Sequence, residues 1–187
     1  MKKLVIAAVL AACTFSAQAA TELVVNGNFE TGTFAGWTKS GNPSLSDVIM
    51  NTVTSNHTYL WRNGATDTLA YISQTLSTTA GASYTLSFDV YNSSTSGANF
   101  EANFNGATVY SFSNAVHNWT HITLTGLTAT SSATELKFGA RNNPSFIRLD
   151  NVSVTAVPEP ETYAMLVAGL LLVGGLGRRS KQAAKFA

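Results

Sequence analysis

The chain has 187 residues, with 11 Lys and Arg against 10 Asp and Glu, and a single cysteine, Cys13. Six of the basic residues lie among the first three and last ten positions, so residues 20–161 hold five basic side chains against all ten acidic ones and carry about −5. That balance excludes the basic patch of a nucleic-acid surface, and a body without cysteine excludes a disulfide framework.

The opening "MKKLVIAAVLAACTFSAQAA" combines a basic start at Lys2 and Lys3, an apolar stretch from Leu4 to Cys13 and a small-x-small site at Ala17-Gln18-Ala19. This is the pattern of a secretory signal peptide, residues 1–19, with export through the Sec pathway and cleavage after Ala19. Leu10-Ala11-Ala12-Cys13 also reads as a lipobox, in which Cys13 would be lipidated and become the mature N-terminus. The apolar stretch before Cys13 is short for that, and the Ala-Gln-Ala site would have no role.

Residues 20–156 read as β throughout, with no amphipathic helix. Short runs alternate apolar and polar residues between Gly, Asn, Ser and Thr clusters. In "YTLSFDVYN" Tyr84, Leu86, Phe88 and Val90 share one face, and "ELKFGA" does the same with Leu136, Phe138 and Ala140. Asn105-Gly106 between two such runs is a hairpin signal. Strands are expected near 22–25, 45–51, 57–62, 69–77, 82–91, 98–105, 107–113, 118–126, 133–141 and 145–155, which predicts an all-β, two-sheet jelly-roll sandwich. In "FIRLDNVSVT" the apolar parity flips between Leu149 and Val152, as a bulge at Asp150-Asn151 would cause.

The end of the chain changes character. A Pro-Glu-Pro linker over 157–162 precedes an uncharged run, Tyr163–Gly177, and a basic tail, 178–187. As a helix the run would reach about 22 Å against a hydrocarbon core of about 30 Å, so it spans a membrane only marginally. Basic residues at both extreme ends place both in the cytoplasm and the body across the inner membrane.

Two resemblances add to this reading. The tail "VPEPETYAMLVAGLLLVGGLGRR" resembles the PEP-CTERM sorting signal of Gram-negative bacteria, with Val157, Pro158, Glu159 and Pro160 as the motif. It implies processing by an exosortase, a temporary membrane anchor, and release to the cell surface or to an exopolysaccharide or biofilm matrix. "LVVNGNFETGTFAGWT", "ISQTLSTTAGASYTLSFDV" and "IRLDNVSV" resemble strands of galactose-binding-like jelly rolls, a group that includes many carbohydrate-binding modules. In that group a structural calcium often joins the first and last strands. The matching positions here are Glu30 and Asp150, with carbonyls of the Asn26–Thr31 loop completing the six to eight oxygens that calcium takes.

Catalytic patterns are sparse. His117 and His121, four apart on a strand, lie about 13 Å from each other and cannot share a metal. Asp89, Glu101 and Asp150 are carboxylates that could converge for glycoside hydrolysis, but no pattern singles out a pair. Aromatics are the remaining signal, because a flat ring matches the apolar face of a sugar. Trp37 reads as core. Trp119 shares parity with His117 and His121, opposite Ile122 and Leu124, and so faces outward. Tyr59 and Trp61 share one face of "HTYLWR", and Tyr91 enters a Ser-rich loop.

The sequence therefore points to an exported, non-catalytic surface or matrix component that contacts extracellular polysaccharide weakly through Trp119, Trp61, Tyr59 or Tyr91. A structural or adhesive protein without sugar binding is the alternative, and a polysaccharide hydrolase a more distant one. Mass spectrometry of the protein from its native host should show a product cleaved near residues 158–163 and lacking Arg178 onward. Recovery of intact tails alone from a host with a working exosortase would contradict this.

Overall fold

The computed structural model describes residues 21–51 and 58–158. The signal segment, His57, Glu159, Pro160, the Tyr163–Gly177 run and the basic tail lie outside the described residues. Ten strands follow in order: β1 (Thr38–Gly41), β2 (Ser46–Met50), β3 (Tyr59–Asn63), β4 (Ala70–Ser77), β5 (Ser83–Asn92), β6 (Asn99–Phe104), β7 (Ala107–Ser113), β8 (His117–Thr128), β9 (Ala133–Arg141) and β10 (Ile147–Ala156). They form two five-stranded antiparallel sheets, ordered β1-β4-β9-β6-β7 and β2-β3-β10-β5-β8. The chain is an all-β sandwich.

The period-two pattern explains the layering. Tyr84, Leu86, Phe88 and Val90 of β5 are buried, as are Leu136, Phe138 and Ala140 of β9. Packed sheets lie about 10 Å apart, so facing side chains must interdigitate. At the centre Phe88 of one sheet meets Phe138 and Phe100 of the other, with ring centroids 5.3 and 5.8 Å away. Asn105 and Gly106 take φ 54° and 77° at the β6–β7 turn, the left-handed pair that a two-residue hairpin needs. The register between β10 and β5 slips between Asp150 and Ser153, with Asn151 at φ 52°, which is the expected bulge.

Two elements differ from expectation. The stretch 22–25 forms only an isolated bridge, Glu22 to Thr155, although Leu23 N–H still donates to Val154 O at 3.0 Å. Conversely, β1 had no alternation to reveal it, because all four of its residues are exposed.

Trp61 corrects the expected outward face of β3. It is fully buried, paired in register with Val48 and Leu149, and its indole N–H donates to Ser46 Oγ at 2.8 Å. In "YLWRN" either parity would put an apolar residue inside, and here the ring that buries most surface takes the core. Trp37 is buried as expected, stacked on Phe29 at 5.6 Å. Trp61→Ala should cost about 3–5 kcal/mol of stability in urea unfolding. A loss under about 0.5 kcal/mol, typical of a surface site, would contradict this placement.

Candidate functional site

Because alternate residues face the core, the other half of each strand forms the outer faces. On the β1-β4-β9-β6-β7 sheet, register aligns these residues in rows. The central row runs Ser40, Tyr71, Gly139, Glu101 and Ser111 across all five strands. A row to one side holds Ser73, Lys137, Asn103 and Thr108. A row to the other side holds Arg141, Asn99 and Ser113. Nearly every member is a hydrogen-bonding side chain.

The exception at the centre is Gly139. A Cβ there would stand 2.6 Å from Tyr71 Cε1 and 3.0 Å from Glu101 Cγ, so the missing side chain lets the Tyr71 ring settle into the sheet surface. Lys137 Nζ lies 4.4 Å from the ring centre. Burial first, then the nearby Glu101 carboxylate, push the Tyr71 phenol up from its ordinary value. Glu101 accepts from Asn103 Nδ2 at 3.1 Å. With its amide oriented to satisfy both neighbours, Asn99 accepts from Arg141 Nε and Nη2 at 2.7 Å and donates to Ser113 Oγ at 2.6 Å. From Glu101 onward along the row this face sinks into a groove of about 310 Å³ lined by Leu69, Asn99, Glu101, Ser111, Phe112 and Arg141 among others. Tyr71, reaching across Gly139 to Glu101, borders the groove rather than lining it. An aromatic ring at the edge of a groove walled by fixed donors and acceptors suits a flat, hydroxyl-rich ligand. Sequence reasoning missed Tyr71, although the parity of "AYISQTLS" sets it opposite Ile72 and Leu76.

The opposite face, on β2-β3-β10-β5-β8, carries the residues singled out in the sequence. Trp119 is half-buried, with its ring 5.6 Å from that of Tyr91. His121 Nδ1 lies 2.7 Å from Asp89 Oδ1 on the same face. The expected grouping of His117 with these residues is corrected by a bulge. Val90 pairs with Thr120 but Asn92 pairs with His117, so β8 carries an extra residue between them. His117 turns inward beside buried Asn92, its ring 4.3 Å from Phe112, while Trp119 and His121 stay outside. Tyr59 is half-buried against Gly32 and packs on the core, apart from Trp119. The three carboxylates do not converge. Asp89 and Asp150 do pair in register across β5 and β10, but Asp150 is fully buried, and Glu101 lies on the other side of the sandwich.

The structure does bring Glu30 toward Asp150. Glu30 Oε1 accepts from the N–H groups of Thr58 and Tyr59 at 2.7 and 3.1 Å. Asp150 Oδ1 accepts from Asn151 N–H at 2.7 Å, whereas its Oδ2 is buried with no partner. Burial, opposed by that hydrogen bond and reinforced by the charges of Glu30 and Asp89, pushes the Asp150 carboxyl up to about 7. Gly27 O accepts from Val152 N–H at 2.9 Å, which holds the 26–31 loop against the bulge. Among the described residues no cluster of three or more His, Cys, Asp or Glu side chains is placed to hold a metal ion. Further oxygens for a cation at Asp150 would therefore come from the backbone and water.

Comparison with known proteins gives two family matches. A family model described as a carbohydrate binding domain matches residues 21–141, and the PEP-CTERM protein-sorting motif matches residues 156–181. Among solved structures, TmCBM61 in complex with β-1,4-galactotriose is 15% identical and has a TM-score of 0.60, covering 74% of this chain and 100% of that one. The CBM22-1 xylan-binding domain of Paenibacillus barcinonensis Xyn10C is 19% identical with a TM-score of 0.53, covering 77% and 99%. The CBM22-1-GH10 modules of Clostridium thermocellum xylanase 10B, complexed with xylohexaose, are 16% identical with a TM-score of 0.55, covering 74% and 29%. At these identities the likeness establishes a shared fold. No curated protein matches the chain.

The buried Asp150 makes stability depend on pH. Its folded pKa of about 7 lies above the unfolded value of about 3.9. Its contribution is therefore fully present below pH 4 and is lost as pH rises through about 7. In chelator, the stability of the wild type relative to Asp150→Asn should fall by a few kcal/mol across that window. Parallel pH profiles for the two proteins would contradict the buried, uncompensated carboxyl.

Proposed function

The chain belongs to the carbohydrate binding domain family, and from that premise we propose that it is an exported, non-catalytic protein that holds a polysaccharide along the outer face of the β1-β4-β9-β6-β7 sheet. The observation that carries this reading is the Tyr71 ring settled over Gly139 beside Glu101, at the edge of the groove. In this reading a sugar stacks its apolar C–H face on Tyr71, displacing the Lys137 ammonium from the ring toward a hydroxyl. Glu101 accepts hydrogen bonds from the ring hydroxyls, and Arg141, held by Asn99, donates to them. Uncharged β-linked glycans are the ligand class, supported by relatives described as xylan-binding or complexed with galactotriose and xylohexaose. The PEP-CTERM motif implies export and exosortase processing. We place the mature protein at the cell surface or in an extracellular matrix, after Sec export and a transient stay in the inner membrane.

A calcium ion at Glu30 and Asp150 belongs to this proposal. The orphaned Asp150 Oδ2 and the nearby Glu30 carboxylate fit a hard cation that prefers oxygen. Bound there, the ion would supply the positive charge that Asp150 lacks and tie the 26–31 loop to the β10 bulge. Saturating calcium should then remove the pH dependence described above.

Affinity electrophoresis in gels containing β-1,4-galactan or xylan tests the binding face. Tyr71→Ala should weaken retention by the equivalent of about 1–3 kcal/mol, with little change in thermal stability. Wild-type retention by Tyr71→Ala in every gel that retards the native protein would overturn the assignment.

A further inference from the structure

Among the described residues, the face opposite the groove holds a cation without a counter-charge. Register places Asp47, Arg62, Arg148 and Tyr91 in one row across β2, β3, β10 and β5, and Trp119 of β8 meets Tyr91 at its end. Arg62 is matched: its Nε and Nη2 donate to the two Asp47 carboxylate oxygens at 2.9 and 2.8 Å, and its guanidinium lies 4.4 Å over the Phe146 ring. Asp89 is also committed, to His121 Nδ1 and Asn151 Nδ2. Arg148 is not. Among the described residues it donates no hydrogen bond and has no carboxylate within ion-pair distance, and its Nε is buried without an acceptor. Its guanidinium rests 5.1 Å from the centre of the Tyr91 ring. Burial, opposed by the interaction with Tyr91 and reinforced by the neighbouring Arg62, shifts its pKa down from the ordinary value.

A half-buried guanidinium with unused donors strongly favours a planar anion, because charge-assisted pairing offsets the desolvation it already bears. The aromatic pair beside it narrows the class. Strands lie about 4.8 Å apart, so Arg148 on β10 and Trp119 on β8 are separated by about 10 Å with Tyr91 between. A small inorganic anion would use the arginine and leave the rings idle, whereas an acidic sugar chain would use both.

We propose that this face is a second carbohydrate site, specific for carboxylated polysaccharide. One hexuronate carboxylate pairs with Arg148, and a neighbouring sugar ring lies on Trp119 and Tyr91. The site depends on the preceding functional reading only for the general class of ligand. It shares no residue with the Tyr71 groove, so the two sites succeed or fail separately.

The test uses the purified full chain with two polymers, polygalacturonate and uncharged β-1,4-galactan, in affinity gels and by calorimetry. Polygalacturonate binding should fall at least tenfold in Arg148→Gln and in Trp119→Ala and persist in Tyr71→Ala. Arg148→Lys, which keeps the charge but loses the planar fork, should fall between wild type and Arg148→Gln. Galactan binding by Arg148→Gln, with a wild-type melting curve, would show that the variant is folded. If galactan fails to bind any variant, a wild-type melting curve alone establishes folding, and the Tyr71 groove is what fails. The proposal is overturned if the wild type does not bind polygalacturonate, or if Arg148→Gln binds it as well as the wild type. It is equally overturned if a sulfated polymer such as dextran sulfate binds as tightly and without dependence on Trp119, which would mark simple charge attraction.

Discussion

Three phenylalanines at the centre of the sandwich, Phe88 of β5, Phe100 of β6 and Phe138 of β9, set the register on which everything outside depends. Their ring centroids lie 5.3 to 6.1 Å apart, with Phe88 tilted or edge-on to the other two. Aromatic pairs of this kind contribute about 0.5–1.5 kcal/mol each beyond the area they bury. More important is what they forbid. A one-residue slip in any of the three strands would drive a Phe into water and a polar neighbour into the core. Asp89, Glu101 and Gly139 stand on the outer faces because each follows an inward Phe.

That constraint produces two faces of different chemistry. The β1-β4-β9-β6-β7 face is lined by hydroxyls, amides and a few charges around the Tyr71 ring, which fills the space Gly139 leaves, and it sinks into a groove from Glu101 toward Ser111 and Arg141. The β2-β3-β10-β5-β8 face carries paired rings beside two arginines, of which, among the described residues, Arg62 is neutralised by Asp47 and Arg148 is not. Between them, where the ends of the domain meet, the β10 bulge buries Asp150 and presses Gly27 so closely against Val152 that a Cβ would stand 1.9 Å from its carbonyl oxygen. A sandwich without disulfides closes its ends by this contact, and a cation at Asp150 would reinforce it at the point of greatest electrostatic cost.

Much of the fold was legible because burial imposes a period of two, and the strands that alternate cleanly, β4, β5, β6 and β9, lie where the pattern puts them. Asn105-Gly106 and the parity flip at Asp150-Asn151 were readable for the same reason: each is a local departure that the backbone must accommodate. The edge strand β1, exposed along its length, has no pattern to read. "YLWRN" could not say which of its neighbours faces inward. The β8 bulge is hidden because "HNWTH" has no run of apolar residues whose parity could flip, so parity alone sets His117 on the wrong side. The row that carries the candidate binding face was the least legible feature. Tyr71, Gly139 and Glu101 come from three strands far apart in sequence, and only cross-strand register brings them into one row.

The central claim is that the Tyr71–Gly139–Glu101 row is where an uncharged polysaccharide lies. Titrating the isotopically labelled protein with a β-1,4-linked galacto- or xylo-oligosaccharide, and following backbone amide shifts by NMR, tests it most directly. The account predicts shifts concentrated at Tyr71, Lys137, Gly139, Glu101, Ser111 and Arg141, with β10, β5 and β8 unaffected. Saturable shifts confined to β10, β5 and β8, or none with any such oligosaccharide, would contradict it.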